Sequence, residues 1–115
     1  MKILLKTQRK ALGLKSRELA QLIGVDQALI SKFESGERIP TEAQVKSLER
    51  VLKIQDKQLT ILWLKEKILQ ELNYHPNASD AIQLVREEIE AYSKQSTINL
   101  AQDINDLLEE IDALK

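Results

Sequence analysis

The fold of this chain is decided by a segment near its N-terminus. Residues 16–40 read SRELAQLIGVDQALISKFESGERIP. Three apolar residues in its first third are spaced as one face of a helix, namely Leu19, Leu22 and Ile23. Gly24 follows at a position where a glycine ends a helix at little cost. The segment therefore predicts a helix over 16–23, a short turn, and a second helix over 26–35.

The outer face of this second helix carries polar, small and basic side chains that suit a groove better than a core. Asp26 is expected to accept backbone N–H bonds as its N-cap, and Ile30 and Phe33 are expected to point inward. Four residues are left facing outward: Gln27, Ala28, Ser31 and Lys32. Glutamine can bind adenine in a bidentate manner, lysine can reach guanine or a phosphate, and an alanine methyl can contact thymine. These positions predict a helix that reads bases in DNA.

Charge is distributed unevenly along the 115 residues. Residues 1–53 carry eleven Lys/Arg and six Asp/Glu, a net charge of +5, whereas residues 54–115 carry six and twelve, a net charge of −6. A basic N-terminal half suits a polyanionic partner, and an acidic C-terminal half does not. Scarce glycine and proline favour an all-α fold of helices joined by short turns.

Three further helices are predicted around this segment, in addition to those of a C-terminal extension. Residues 2–12 precede it, and Thr41 is expected to cap a helix after Pro40. Residues 58–72 are apolar around much of the helix circumference, which indicates burial on two sides. The breakers at 73–79 separate a DNA-binding domain over 1–72 from an acidic helical extension over 73–115.

The extension carries two apolar seams. The first comprises Ile82, Val85, Ile89 and Tyr92, and the second comprises Leu100, Ile104, Leu107, Ile111 and Leu114. The spacing of the first indicates one face of a sixth helix. The spacing of the second is a heptad pattern over about two heptads, which favours pairing as a coiled coil. The polar residues 94–97 between them leave open whether the extension is one helix or two. The second seam can fold back on the chain's own fifth helix or pair with a second chain, and we favour a dimer.

A set of residues shared by a known family lies in the N-terminal half: Arg9, Gly13-Leu14, Leu19-Ala20, Ile23-Gly24-Val25, Ile30-Ser31, Glu34, Gly36, Arg38 and Pro40. In these residues, segment 5–53 resembles the helix-turn-helix of the lambda-repressor/Cro type, also called the XRE family. The resemblance implies a compact bundle of about five helices with the third in the major groove.

The resemblance also implies roles for individual positions. Gln27, Ala28, Ser31 and Lys32 would face the bases. Contacts to phosphates would come from Ser16, Arg17, Gly36 and Arg38. Arg9 and Glu34 would form a structural pair between the first and third helices. The family usually has Ser-Gln at the start of the second helix where this chain has Lys15-Ser16, which puts base contact from that helix in doubt.

The function implied is that of a transcriptional regulator, a repressor that binds a pseudo-palindromic operator as a homodimer. The dimer interface is expected at Leu62, Trp63, Leu69, Leu100, Ile104, Leu107, Ile111 and Leu114. The stretch LTILWLKEKIL (59–69) resembles regulators encoded beside DNA methyltransferases, which suggests a restriction–modification controller. The alternative is a protein-interaction module, such as an antitoxin, whose acidic C-terminal helices bind a protein partner.

Several classes of function find no support in the composition. The chain has no cysteine and one histidine, His75, so no metal site, cofactor or catalytic constellation is predicted. No apolar run reaches the roughly 20 residues of a membrane span, and no signal peptide is evident. We expect a cytoplasmic, non-enzymatic protein whose partner is double-stranded DNA.

Overall fold

The computed structural model describes residues 1–114, and these residues form helices without any strand. The helices are α1 (Lys2–Ala11), α2 (Ser16–Ile23), α3 (Gln27–Ser35), α4 (Glu42–Val51), α5 (Gln58–Leu72) and α6 (Ala78–Ala113). The all-α prediction is confirmed. The chain divides into two compact units, unit 1 over residues 1–73 and unit 2 from residue 74 onward. The last residue of the predicted extension, 115, lies outside the described residues.

The core of unit 1 is aliphatic, with one phenylalanine and one tryptophan. Its buried members are Leu5, Leu19, Ala20, Ile30, Phe33, Val45, Leu48, Leu52, Leu59 and Trp63. Leu22, expected on the inner face of α2, is instead 55% exposed, and the smaller Ala20 is buried at 3% exposure. A short side chain there allows α2 to approach its neighbours closely.

The helix ends of unit 1 are fixed by local chemistry. Gly24 and Gly36 end α2 and α3 with φ of 74° and 85°, a region that favours glycine. Thr41 is confirmed as the cap of α4, because its Oγ1 accepts the Gln44 amide at 3.2 Å. Asp26 holds the N-cap position of α3, but its side chain accepts no cap hydrogen bond, so that expectation is wrong. Its exposed carboxylate still lies at the end of α3 where negative charge is favourable.

A buried carboxylate on α4 caps the start of α5. Glu49 is 7% exposed. Its Oε2 accepts the Thr60 backbone amide at 3.1 Å, and its Oε1 accepts the Thr60 hydroxyl at 2.8 Å. These bonds satisfy one of the donors that every helix N-terminus leaves open, and they place the charge at the favourable end of the dipole. Glu49 thereby fixes α5 against α4.

The extension is one continuous helix of 36 residues in the structure. Residues 94–97 remain helical, and their side chains bond along the helix: Thr97 Oγ1 donates to the Ser93 carbonyl and Gln95 Nε2 donates to Asn99 Oδ1, both at 3.0 Å. The polar residues thus interrupt the apolar seam without ending the helix. Within residues 1–114, no helix combines the length and apolar character that crossing a bilayer requires.

Candidate nucleic-acid interface

The outward face of α3 presents the residues that the sequence assigned to base contacts. Gln27, Ala28, Ser31 and Lys32 are all exposed. The opposite face holds Ile30 at 1% and Phe33 at 2% exposure. Two buried anchors fix the rotation of α3 about its own axis. The helix therefore offers a rigid strip of small, amide and cationic groups to solvent.

The turn before α3 is tight, so that α2 and α3 pack against one another. The Val25 amide donates to the Ala20 carbonyl at 2.9 Å across the turn. At the other end of α2, the Lys15 amide donates to Glu18 Oε1 at 3.1 Å. Lysine has no acceptor with which to cap a helix, so the first amides of α2, at Ser16 and Arg17, receive no capping bond from that side chain. Ser16 is half-buried and Arg17 is exposed.

A buried ion pair joins α1 to α3. Arg9 Nε donates to Glu34 Oε1 at 2.7 Å, and the two side chains are 11% and 9% exposed. A second guanidinium nitrogen, Nη1, donates to the Leu14 carbonyl at 2.8 Å. One side chain therefore connects α1, the loop before α2, and α3. Removal of either charge would leave the other without its partner in a nearly dry site.

The loop after α3 is held from below by α5. Trp63 Nε1 donates to the Pro40 carbonyl at 2.7 Å. The Arg38 amide donates to the Lys32 carbonyl at 3.3 Å, and the Arg38 side chain is exposed. The Gly36 amide, which the resemblance assigned to a phosphate, donates to the Phe33 carbonyl at 3.4 Å. A phosphate would have to compete with the Phe33 carbonyl for the Gly36 amide. The Arg38 side chain is exposed and can bind a phosphate without breaking an internal bond.

The residues of α5 that the sequence assigned to a dimer interface differ in their exposure. Trp63 is 8% exposed and belongs to the core of unit 1, where its ring N–H donates to the Pro40 carbonyl of the loop. Leu62 is half-buried, and Leu69 is exposed. Sequence reasoning missed the other exposed apolar residues of this helix, which are Ile61, Leu64 and Ile68. Their spacing of three and four could have identified them as a face turned away from the core.

The cations near α3 are available for an external anion. Within residues 1–114, Arg17, Lys32 and Arg38 take part in none of the ion pairs. The described part of the chain, residues 1–114, contains no cluster of histidine, cysteine and carboxylate side chains able to hold a metal ion. The chemistry on this surface is hydrogen bonding and charge neutralisation.

Comparison with known proteins identifies this arrangement. The profile of the Helix-turn-helix family matches residues 5–58. No curated protein and no solved structure matches the chain. The match contains α1 from residue 5 onward and all of α2 to α4, including the tight α2–α3 turn and the exposed strip of α3. Residues 5–58 therefore belong to the lambda-repressor/Cro-like helix-turn-helix family of XRE type, the domain of DNA-binding transcriptional regulators.

Proposed function

We propose that this protein is a repressor that binds a pseudo-palindromic operator as a homodimer and acts by occupying it. The observation that carries the proposal is the exposed strip on α3, where Gln27, Ala28, Ser31 and Lys32 stand above the buried anchors Ile30 and Phe33. A strip held in this way can enter the major groove without losing side-chain packing.

Affinity and specificity would have different sources on this surface. The four residues of the strip, including Lys32, would contact the base edges. Ser16, Arg17 and Arg38 would bind the phosphates on either side. Phosphate contacts fix the register of α3 in the groove but carry no sequence information. The Arg9–Glu34 pair would act only by holding α3 in place.

The two units would have different functions. Residues 1–72 would bind DNA, and the extension from 73 would bring two chains together. The Leu and Trp residues of stretch 59–69 are explained in part by the core, since Leu59 and Trp63 are buried. That stretch therefore gives no separate support to restriction–modification control. An acidic extension that binds another protein instead would leave the chain monomeric when purified alone.

Arg38→Ala is expected to weaken binding to DNA of any sequence. Loss of one phosphate contact should reduce the slope of log K against log salt concentration by about 0.9. The measurement is a fluorescence-anisotropy titration of a random-sequence duplex at several salt concentrations. Lys46→Ala is the matched control, because it removes an equal charge from the exposed outer face of α4.

The control should leave the salt slope unchanged. Equal slopes for the parent and Arg38→Ala would remove Arg38 from the interface. A parent protein that shows no salt-dependent binding at all would contradict the proposed function.

A further inference from the structure

Large apolar side chains between residues 82 and 114 form a stripe along α6 that is interrupted at Ser96 and that the described structure leaves exposed. Its nine large members are 38% to 87% exposed: Ile82, Val85, Ile89, Tyr92, Leu100, Ile104, Leu107, Ile111 and Leu114. At 1.5 Å per residue the stripe extends about 48 Å along the helix. Exposure of this much aligned apolar surface is a mark of an interaction site.

The stripe has an internal symmetry. Including Ser96, the intervals along it are 3, 4, 3, 4, 4, 4, 3, 4 and 3 residues, which read the same in both directions about residue 98. When two copies of α6 run in opposite directions with residue 98 at the two-fold axis, every large side chain of the stripe except Leu100 faces another large one. The facing pairs are Ile82 with Leu114, Val85 with Ile111, Ile89 with Leu107, and Tyr92 with Ile104.

The centre of the stripe also favours opposite directions. Antiparallel pairing sets the small Ser96 against Leu100 of a second copy, so large and small residues alternate across the seam. Parallel pairing would set serine against serine and leucine against leucine. The three consecutive intervals of four unwind the heptad pattern locally, which keeps the stripe nearly straight through the centre.

The distribution of charged residues along α6 also favours antiparallel pairing. The basic residues of α6, Arg86 and Lys94, both lie in its first half, while residues 103–112 carry five acidic side chains and no basic one. A parallel pair would place the two acidic halves side by side. The first half also carries four acidic side chains, so its net charge is −2 against −5 for the second half. An antiparallel pair sets each −5 half against a −2 half and not against another −5 half, which lowers the repulsion.

We infer that α6 pairs with α6 of a second copy of this chain in an antiparallel manner, with the two-fold axis near residue 98. This rests on the proposed function in that it specifies how the homodimer forms. The symmetry is isologous, as closed dimers require. The two helix-turn-helix domains would be attached at opposite ends of the helix pair, with the two copies of Ala78 about 60 Å apart along it.

Disulfide trapping tests this pairing directly, because the chain has no cysteine of its own. Full-length Val85→Cys and Ile111→Cys chains, one of them carrying a tag to change its size, are mixed, oxidised without DNA and separated on a non-reducing gel. We expect a cross-linked heterodimer in the mixture and no cross-link in either variant alone. The two copies of residue 85 would lie about 39 Å apart, far beyond the roughly 7 Å Cα limit for a disulfide.

The matched control uses two positions that are also symmetric about residue 98 but lie off the stripe. Ala91→Cys mixed with Asn105→Cys should not cross-link, and Ile104→Asp introduced into both stripe variants should abolish their cross-link. Self-cross-linking of Val85→Cys would show a parallel pair and overturn the inference. A parent chain that sediments as a monomer would overturn it as well, whereas salt-dependent DNA binding measured separately decides the proposed function.

Discussion

Arg9→Met is expected to lower the free energy of unfolding of unit 1 by roughly 3–5 kcal/mol. The substitution leaves the Glu34 carboxylate, 9% exposed, without the guanidinium that lies 2.7 Å away. It also removes the donor that satisfies the Leu14 carbonyl. Urea denaturation followed by fluorescence measures the effect on unit 1 specifically, because Trp63 is the only tryptophan in the chain.

Two further variants separate the ion pair from other effects of the substitution. Lys10→Met, the matched control at an exposed position of α1, should change the stability by less than about 0.5 kcal/mol. Arg9→Met combined with Glu34→Leu should recover most of the loss, since a buried ion pair can often be replaced by apolar side chains at little cost. A single variant within 1 kcal/mol of the parent would show that the pair does not hold α1 against α3.

Trp63→Ala should cost a similar amount, roughly 3–5 kcal/mol, because it opens a cavity in the core. It also leaves the Pro40 carbonyl without its 2.7 Å donor, so the loop that carries Arg38 loses its anchor. We therefore expect weaker DNA binding in addition to lower stability. Circular dichroism measures the unfolding, because the fluorescent residue is absent from this variant.

Trp63→Phe separates the loss of core packing from the loss of the hydrogen bond to Pro40. Phenylalanine retains most of the apolar contact but has no N–H group, so the remaining loss, about 1–3 kcal/mol, belongs to the unpaired carbonyl. Ile61→Ala is the control on the outer face of α5, where the side chain is 60% exposed. If Trp63→Ala were no more destabilising than Ile61→Ala, Trp63 would not be a core residue of unit 1.

The features that the sequence predicted correctly depend on neighbours in the chain. The end of α2 follows from the conformational freedom of Gly24, and the start of α4 follows from the Thr41 hydroxyl. The strip on α3 follows from helical periodicity alone. Such signals lie within a few residues of one another and need no knowledge of tertiary packing.

The features that the sequence did not reveal depend on contacts between distant segments. Glu49 and Thr60 are eleven residues apart, and Trp63 and Pro40 are 23 apart. Neither pair belongs to a periodic pattern, so nothing local marks Glu49 as a cap or Trp63 as the support of a loop. The apolar content of α5 was evident, but only the packing of Leu59 and Trp63 showed which side faces the solvent.

Selection of binding sites from random DNA tests most directly whether the exposed strip of α3 reads sequence. The parent and Gln27→Ala/Ser31→Ala are taken through the same selection, with Gln70→Ala, an exposed glutamine of α5, as the control. We expect the parent and the control to enrich one motif, and the double variant to lose preference at particular base pairs of it, by about 1–3 kcal/mol for a bidentate contact. Enrichment of an identical motif by the double variant, or of no motif by the parent, would contradict the assignment of α3 as the reading helix.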